Sequence, residues 1–327
     1  MLKWIIPIIL FAFVYFGFYI FLKNSEVKEY PVLIRNYVLK VLPLQPKEEI
    51  KLTFTGDNIL GRSVNFLTVK SGDFGWAYNS IASELKNSDI TIINLESPLL
   101  KDCPLTNEGF VFCGDYRNVL GLSLAGVDVV GLANNHAGDY GVSGVNETTS
   151  LLDSTGILTS GTLERKIAYK DVKGTKFSFL AFNSIGNEPG VLPAEERVMK
   201  SLILEAKENS DFVVVQIHWG NEYTKEITSF QKSMGRFLIE NGADLVIGNH
   251  PHWIQDYEIY KEKYILYALG NFIFDQEWSK ETKEGVIANF TVKDLKVIDL
   301  KFTPVEIRNY GQVFKTYNFD IIPEEIK

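Results

Sequence analysis

Short unbroken apolar runs alternate along the chain with stretches of helical period. Lys51-Leu-Thr-Phe-Thr alternates and stops at Gly56-Asp57, which predicts a first strand. Asp89-Ile-Thr-Ile-Ile-Asn-Leu-Glu96 predicts a second, buried strand that ends in a carboxylate and is stopped by Pro98. Val127-Asp-Val-Val-Gly-Leu-Ala predicts a third, which runs into Asn134, Asn135 and His136. Further strands are predicted near 168–170, at 176–182, at 211–217 ahead of His218, and at 245–247 ahead of His250 and His252. The last ones fall at 264–269, 286–292 and 295–303. Residues 73–86, 115–125, 141–154, 194–209 and 229–241 carry helical patterning; Phe74, Tyr78, Ile81 and Leu85 share a face of the first, and Gly242 closes the last. Apolar strands alternating with helices predict an α/β layered fold, and the consecutive strands near the carboxyl terminus predict a partly antiparallel sheet.

Residues 4–22 break this pattern, being uncharged and rich in Ile, Phe, Leu and Tyr between Lys3 and Lys23. About 20 apolar residues suffice to cross a bilayer as a helix. The run is longer than a signal-peptide core and no small-residue cleavage site follows, which favours an uncleaved N-terminal transmembrane anchor over residues 1–23. Residues 24–48, with Pro31, Pro43 and Pro46, read as a juxtamembrane connector. The folded domain is expected at 49–306 and a peripheral tail at 307–327. Lys3 precedes the span while Lys23, Lys28, Arg35 and Lys40 follow it, so charge alone does not place the domain outside.

The 327 residues are 46% hydrophobic and 23% charged, values of a globular protein. A net charge of -8 argues against a general nucleic-acid binder, and no nucleic-acid partner is expected. The cysteines, Cys103 and Cys113, lack the spacing of a structural zinc site. Their separation suits a disulfide-closed hairpin, which needs an oxidising compartment, and equally two free thiols.

The chemistry lies at strand ends. All four histidines of the chain, His136, His218, His250 and His252, follow apolar runs, and Asp57 and Glu96 end two others. Open α/β sheets build their sites at the carboxyl ends of strands. Imidazole with carboxylate suits zinc, manganese or iron, so a divalent metal centre of one or two ions is expected. Two ions about 4 Å apart clamp the attacking and leaving oxygens of a displacement, and Glu96 is the carboxylate best placed to bridge them.

Thr55-Gly-Asp-Asn-Ile-Leu-Gly-Arg62, Asn94-Leu-Glu96, Ala133-Asn-Asn-His-Ala-Gly-Asp-Tyr-Gly141, His218-Trp-Gly-Asn-Glu-Tyr223, the stretch from Gly242 to Gln255, and Leu269-Gly-Asn-Phe-Ile-Phe-Asp-Gln276 together resemble the capsule-synthesis CapA family, also called the poly-γ-glutamate synthesis proteins. The resemblance spans roughly 50–305. It implies kinship with the calcineurin-like metallophosphoesterases, and so a metallophosphatase-like layered β-sandwich flanked by helices. It also implies an N-terminal anchor and an extracytoplasmic domain.

By the same resemblance Asp57 is a first-metal carboxylate and Glu96 the bridging one. Asn135, His218 and His250 bind the second metal, and His252 the first. His136 is the general acid or the phosphate-contacting histidine. The superfamily's histidine two residues after the first aspartate is absent, since that position is Ile59. The first ion is one ligand short unless Asn58 or Asp139 completes it. Asp139 and Arg62 join His136 as catalytic candidates, Arg62 as a bidentate clamp on a carboxylate or phosphate. Trp219, Glu222 and Tyr223 are expected to line the cleft, with Asn271 a further substrate contact and Asp275 and Gln276 beside it.

Three functions follow from the resemblance. The first is a single-pass membrane protein that hydrolyses or transfers a bond in an anionic envelope polymer such as poly-γ-glutamate. The second is a non-catalytic polymer-binding subunit beside synthase or export subunits. The third is a metallophosphoesterase. The chain has no P-loop, so any ATP-dependent ligase partner is a separate chain.

Overall fold

The computed structural model describes residues 48–318. The expected anchor at 1–23 and almost all of the connector at 24–48 lie outside the described residues. Among the described residues no helix is long and apolar enough to cross a membrane.

Two sheets pack face to face. The first has the order β16-β15-β14-β1-β2-β5-β6 and the second β11-β12-β10-β9-β8-β7. In the first, β1 (Ile50–Asn58), β2 (Ile90–Leu95), β5 (Val129–Gly131) and β6 (Leu158–Ser160) run parallel. In the second, β8 (Thr175–Asn183), β9 (Phe212–His218), β10 (Leu245–Asn249) and β12 (Lys263–Leu269) do the same. Antiparallel strands finish each sheet: β14 (Glu284–Lys293), β15 (Lys296–Arg308) and β16 (Gln312–Lys315) in the first, β7 (Ile167–Val172) and β11 (Ile254–Tyr260) in the second. A small pair, β3 (Leu99–Leu100) with β4 (Gly114–Asp115), stands apart, and β13 (Asn271–Ile273) pairs with the end of β1.

The continuous apolar runs reflect burial of both faces of each sheet. Along β2, Ile90 and Ile92 enter the core between the sheets, whereas Ile93 and Leu95 face the helices outside. Along β9, Phe212 and Val214 point inward, and Val213, Val215 and Ile217 outward. The outer layer over the first sheet comprises α1 (Arg62–Ser71), α2 (Ala82–Leu85), α3 (Val119–Ala125) and α4 (Gly141–Ser154). Over the second lie α5 (Glu196–Asn209) and α6 (Ser229–Glu240). Helix α6 starts at a capping box in which Thr228 and Gln231 satisfy each other's backbone N–H.

Three expectations are corrected. Residues 73–86 are a series of turns with one short helix, because Asp73 accepts from Gly75 N–H and holds a turn there. Helix α1 falls where no helix is expected, since its buried positions are Val64, Asn65 and Thr68 and give no apolar stripe. Of the tail expected at 307–327, the part through Lys315 belongs to the sheet, since Ile307 and Val313 are buried in the core and β16 pairs with β15, while 319–327 lie outside the described residues.

Candidate metal centre

The carboxyl ends of β1, β2 and β5 meet those of β9 and β10. Parallel strands deliver their final residues to one edge, so residues far apart in sequence converge there. Asp57 and Glu96 come from the first sheet, with Asn135, His136 and Asp139 on the loop after β5. His218, His250 and His252 come from the second sheet.

Glu96 sits between two donor sets. Its Oε1 lies 3.9 Å from His218 Nε2 and 3.8 Å from His252 Nε2. On one side, His218 Nε2 is 2.7 Å from Asn135 Oδ1 and 3.1 Å from His250 Nδ1. On the other, Asp57, Glu96 and His252 place ligand atoms within 4.8 Å of one another, as do Glu222, His250 and His252. The sequence motifs predict this convergence for Asp57, Glu96, Asn135, His218, His250 and His252, and the structure brings all six together.

The donors fit a divalent cation. Glu96 Oε1 is buried and has no hydrogen-bond partner, nor has His218 Nδ1. Around His218 Nε2 stand the amide oxygen of Asn135, the imidazole of His250 and the carboxylate of Glu96, more lone pairs than the available protons can join. Burial pushes the Glu96 carboxyl well above its ordinary range, and the charges of Asp57 and Glu222 add to this. Burial holds His218 well below the ordinary histidine range, and it brings His250 down to about 3, with the His252 charge second. Neutral imidazoles facing a carboxylate that lacks a counter-charge are the donor set a metal ion stabilises.

Surrounding side chains fix the orientation of these donors. Asn271 donates both amide hydrogens, to Gln276 Oε1 at 3.0 Å and Thr282 O at 2.9 Å. Its Oδ1 therefore faces His252 Nδ1, 2.9 Å away, and keeps the proton on that nitrogen. His252 Nε2 is left with its lone pair toward Glu96. Asn271 is fully buried, so it positions His252 and does not contact substrate as expected. Asn94 donates to Asp57 Oδ1 at 2.8 Å, and Asn134 donates to Asn94 Oδ1 at 3.0 Å. His250 N–H donates to Asp57 Oδ2 at 3.1 Å.

Four side-chain-bearing residues here take left-handed backbone conformations. Arg62, Tyr223, His250 and His252 have φ of 43°, 59°, 97° and 59°. Such conformations cost about 1–3 kcal/mol each in side-chain-bearing residues, and they persist where surrounding structure imposes them.

His136 and Asp139 form a pair, Nδ1 to Oδ2 at 3.0 Å. Phe112 stacks on the His136 ring with centroids 3.9 Å apart, and its N–H donates to Asp139 Oδ2. Phe112 arrives on a loop closed by a disulfide between Cys103 and Cys113, which resolves the two readings of those cysteines. Glu188, near His136 and Asp139, has its carboxyl raised chiefly by burial and then by Asp139.

Two expected site residues have other partners. Arg62 forms an ion pair with Asp275, and its guanidinium covers the Phe112 ring at 4.5 Å. Its charge is already matched, so it ties the disulfide loop to the 275 segment and is no free clamp. Trp219 is wholly buried against Tyr267 and donates Nε1–H to Tyr267 O at 2.9 Å. It belongs to the core under α6 and does not line the cleft. Tyr223 does lie at the cleft, stacked on His252 at 5.8 Å with its hydroxyl accepting from Gln276.

Asn94, Asn134, Phe112 and Glu188 take roles here that the sequence motifs do not assign. Asn94 and Asn134 stand beside Glu96 and His136 in those motifs, and polar residues inside otherwise apolar strand ends are the signal that marks them. Phe112 and Glu188 carry no such signal.

Comparison with known sequences bears on this arrangement. The profile of the family described as bacterial capsule synthesis protein PGA_cap matches residues 51–276. The chain belongs to the PGA_cap family. It is 31% identical over 291 residues to the capsule biosynthesis protein CapA of Bacillus anthracis, covering 82% of this chain and 70% of that one. It is 31% identical over 274 residues to the PGA biosynthesis protein CapA of Bacillus subtilis strain 168, covering 79% and 72%. Among solved structures, a protein of Mycoplasma pneumoniae described as a novel phosphatase superposes with a TM-score of 0.54 at 16% identity, covering 81% of this chain and 96% of that one. A hypothetical protein from Thermus thermophilus gives 0.53 at 18%, covering 79% and 100%. This PGA_cap chain thus shares its mixed α/β fold with these two structures, one of them described as a phosphatase. The departure at Ile59 is also structural, because that side chain is buried in the core outside the first sheet.

Proposed function

We propose that this PGA_cap protein is a membrane-anchored, extracytoplasmic enzyme of capsule biosynthesis. It uses two divalent ions, of manganese, zinc or iron, to hydrolyse or transfer amide bonds of an anionic envelope polymer such as poly-γ-glutamate. The observation that carries this reading is the pair of donor sets sharing Glu96 beside the His136–Asp139 pair. The kinship with two CapA proteins supports the polymer, and the Cys103–Cys113 disulfide supports an oxidising compartment. The apolar run at 4–22 supports the anchor.

Bound ions supply Lewis acidity and a counter-charge for the developing oxyanion. Asp57 and Glu96 would hold them from the first sheet, and His218, His250 and His252 from the second. His136 moves the proton. Asp139 accepts from its Nδ1–H and leaves Nε2 to act on substrate. Water adds to the amide carbonyl carbon and its proton passes to His136 Nε2; the C–N bond then breaks, and the departing nitrogen takes that proton back from Nε2. Transfer differs only in that an amine or hydroxyl replaces water.

A phosphoester substrate is the second reading, because two ions sharing a carboxylate serve phosphatases and aminopeptidases alike. The test uses the full-length chain in detergent with Mn2+, assayed on poly-γ-glutamate and on bis(p-nitrophenyl) phosphate. Shortened polymer, lost in His250→Ala, supports the amide reading. Turnover of the phosphodiester alone replaces it with the second, and turnover of neither overturns both.

A further inference from the structure

We propose that Glu222 is a metal ligand that completes the ion site centred on His252. It offers that ion a carboxylate in a chain that has no histidine two residues after Asp57. This rests on the metal-centre reading above.

His252 Nε2, whose lone pair is exposed by the Asn271 contact on Nδ1, has two carboxylates near it. Glu96 Oε1 is 3.8 Å away and Glu222 Oε1 3.9 Å away. With metal–ligand bonds of about 2.1 Å, donors of one ion lie between about 3 Å apart when adjacent and about 4.2 Å when opposite. Both separations fall in that range. Glu222, His250 and His252 keep their ligand atoms within 4.8 Å of one another, so Glu222 reaches His252 on the side that His250 also faces. Among the described residues no lysine or arginine stands within ion-pair distance of Glu222.

The backbone holds Glu222 in place. Trp219 N–H donates to Asn249 O at 3.1 Å and Tyr223 N–H to Pro251 O at 2.9 Å, so the loop is zipped onto the segment that carries His250 and His252. Gln255 Nε2 donates to Thr224 O and Glu226 O on the far side. Gly220, at φ 87°, lies so close to Gln231 that a Cβ there would fall 2.7 Å from its amide. The position of Glu222 relative to His252 is thus set by main chain at both ends.

The other candidates are committed elsewhere. Asn58 donates to Thr55 Oγ1 and Gly56 O and accepts from Tyr78. Asp139 holds His136 and the Phe112 N–H. Glu222 is also 39% exposed along its side chain, whereas Glu96 and His252 are at 0% and 3%. It closes the ion site on the solvent side, where substrate enters.

The test is Mn2+ titration of the full-length chain in detergent by calorimetry, with bound metal counted by elemental analysis. Glu222→Gln and Glu222→Ala are expected to weaken one Mn2+ equivalent at least tenfold and to leave the melting temperature of the metal-free chain unchanged. His218→Ala serves as comparator and is expected to weaken the other equivalent. Unchanged affinity and stoichiometry in both Glu222 variants, with wild type binding Mn2+, overturns the assignment while the metal centre stands. A wild-type chain that binds no Mn2+ overturns the metal centre and this ligand together.

Discussion

Replacing Asn271 with alanine removes three contacts at once, and their consequences separate cleanly. His252 Nδ1–H loses its acceptor at 2.9 Å, and Gln276 Oε1 and Thr282 O lose donors at 3.0 and 2.9 Å. Each buried group left without a partner costs about 1–3 kcal/mol. His252 Nδ1 keeps Asp57 Oδ2 at 3.3 Å, which argues for the low end at that contact. The expected loss of stability is therefore about 3 kcal/mol, measured by urea unfolding of the metal-free chain. The same change frees the imidazole to rotate and to exchange tautomers, so Mn2+ affinity is expected to fall about 10–100-fold. Asn271→Asp keeps an acceptor for His252 and sacrifices only the two donors. It is expected to lose comparable stability but to bind Mn2+ more tightly than Asn271→Ala. If Asn271→Ala binds Mn2+ within about twofold of wild type, Asn271 does not set the His252 lone pair and the positioning role fails.

Removing the disulfide with Cys103→Ser and Cys113→Ser frees the loop that seats Phe112 on His136. Turnover of the proposed polymer substrate is expected to fall while Mn2+ affinity holds, with a stability loss of about 3 kcal/mol at most for so short a loop. In the metal-free chain, His250 is held down at about 3 in the folded state against 6.5 ordinarily, so its stability contribution is present above pH 6.5 and lost as pH falls toward 3. Wild type is expected to lose about 3 kcal/mol more than His250→Asn between pH 6.5 and pH 4, read from melts at each pH; equal losses refute the burial effect. Trp219→Phe leaves Tyr267 O without its donor and trims a core ring, for about 1–3 kcal/mol of stability, and polymer affinity measured by calorimetry is expected to stay unchanged.

The parts of the fold that showed in the sequence are those where burial on both sheet faces makes strands uniformly apolar, as in β2, β9 and β10. Where an element buries polar residues, as α1 does with Asn65 and Thr68, no periodicity announces it. The same holds for β11, whose later residues are half-buried, and for β16 at the sheet's edge. The candidate donors were legible because strand ends that carry His, Asp or Glu after apolar runs are chemically conspicuous. Their partners were less so. The sequence motifs put Glu222 at the cleft but not on an ion, and only the pairing of its loop with the 249–255 segment brings it to His252. Trp219 follows His218 directly, yet the chain turns at Gly220, φ 87°, and the indole goes to the core. Neighbours in sequence do not share a face once a strand ends.

Two ions bound as proposed would share Glu96, and electron paramagnetic resonance of the full-length chain loaded with Mn2+ reads that sharing. Two ions bridged by one carboxylate couple magnetically, so wild type is expected to show an exchange-coupled spectrum, and Glu96→Gln the spectrum of isolated Mn2+ or none. An isolated-ion spectrum in wild type at saturating Mn2+, or a coupled spectrum that survives Glu96→Gln, would rule out a pair of ions sharing Glu96.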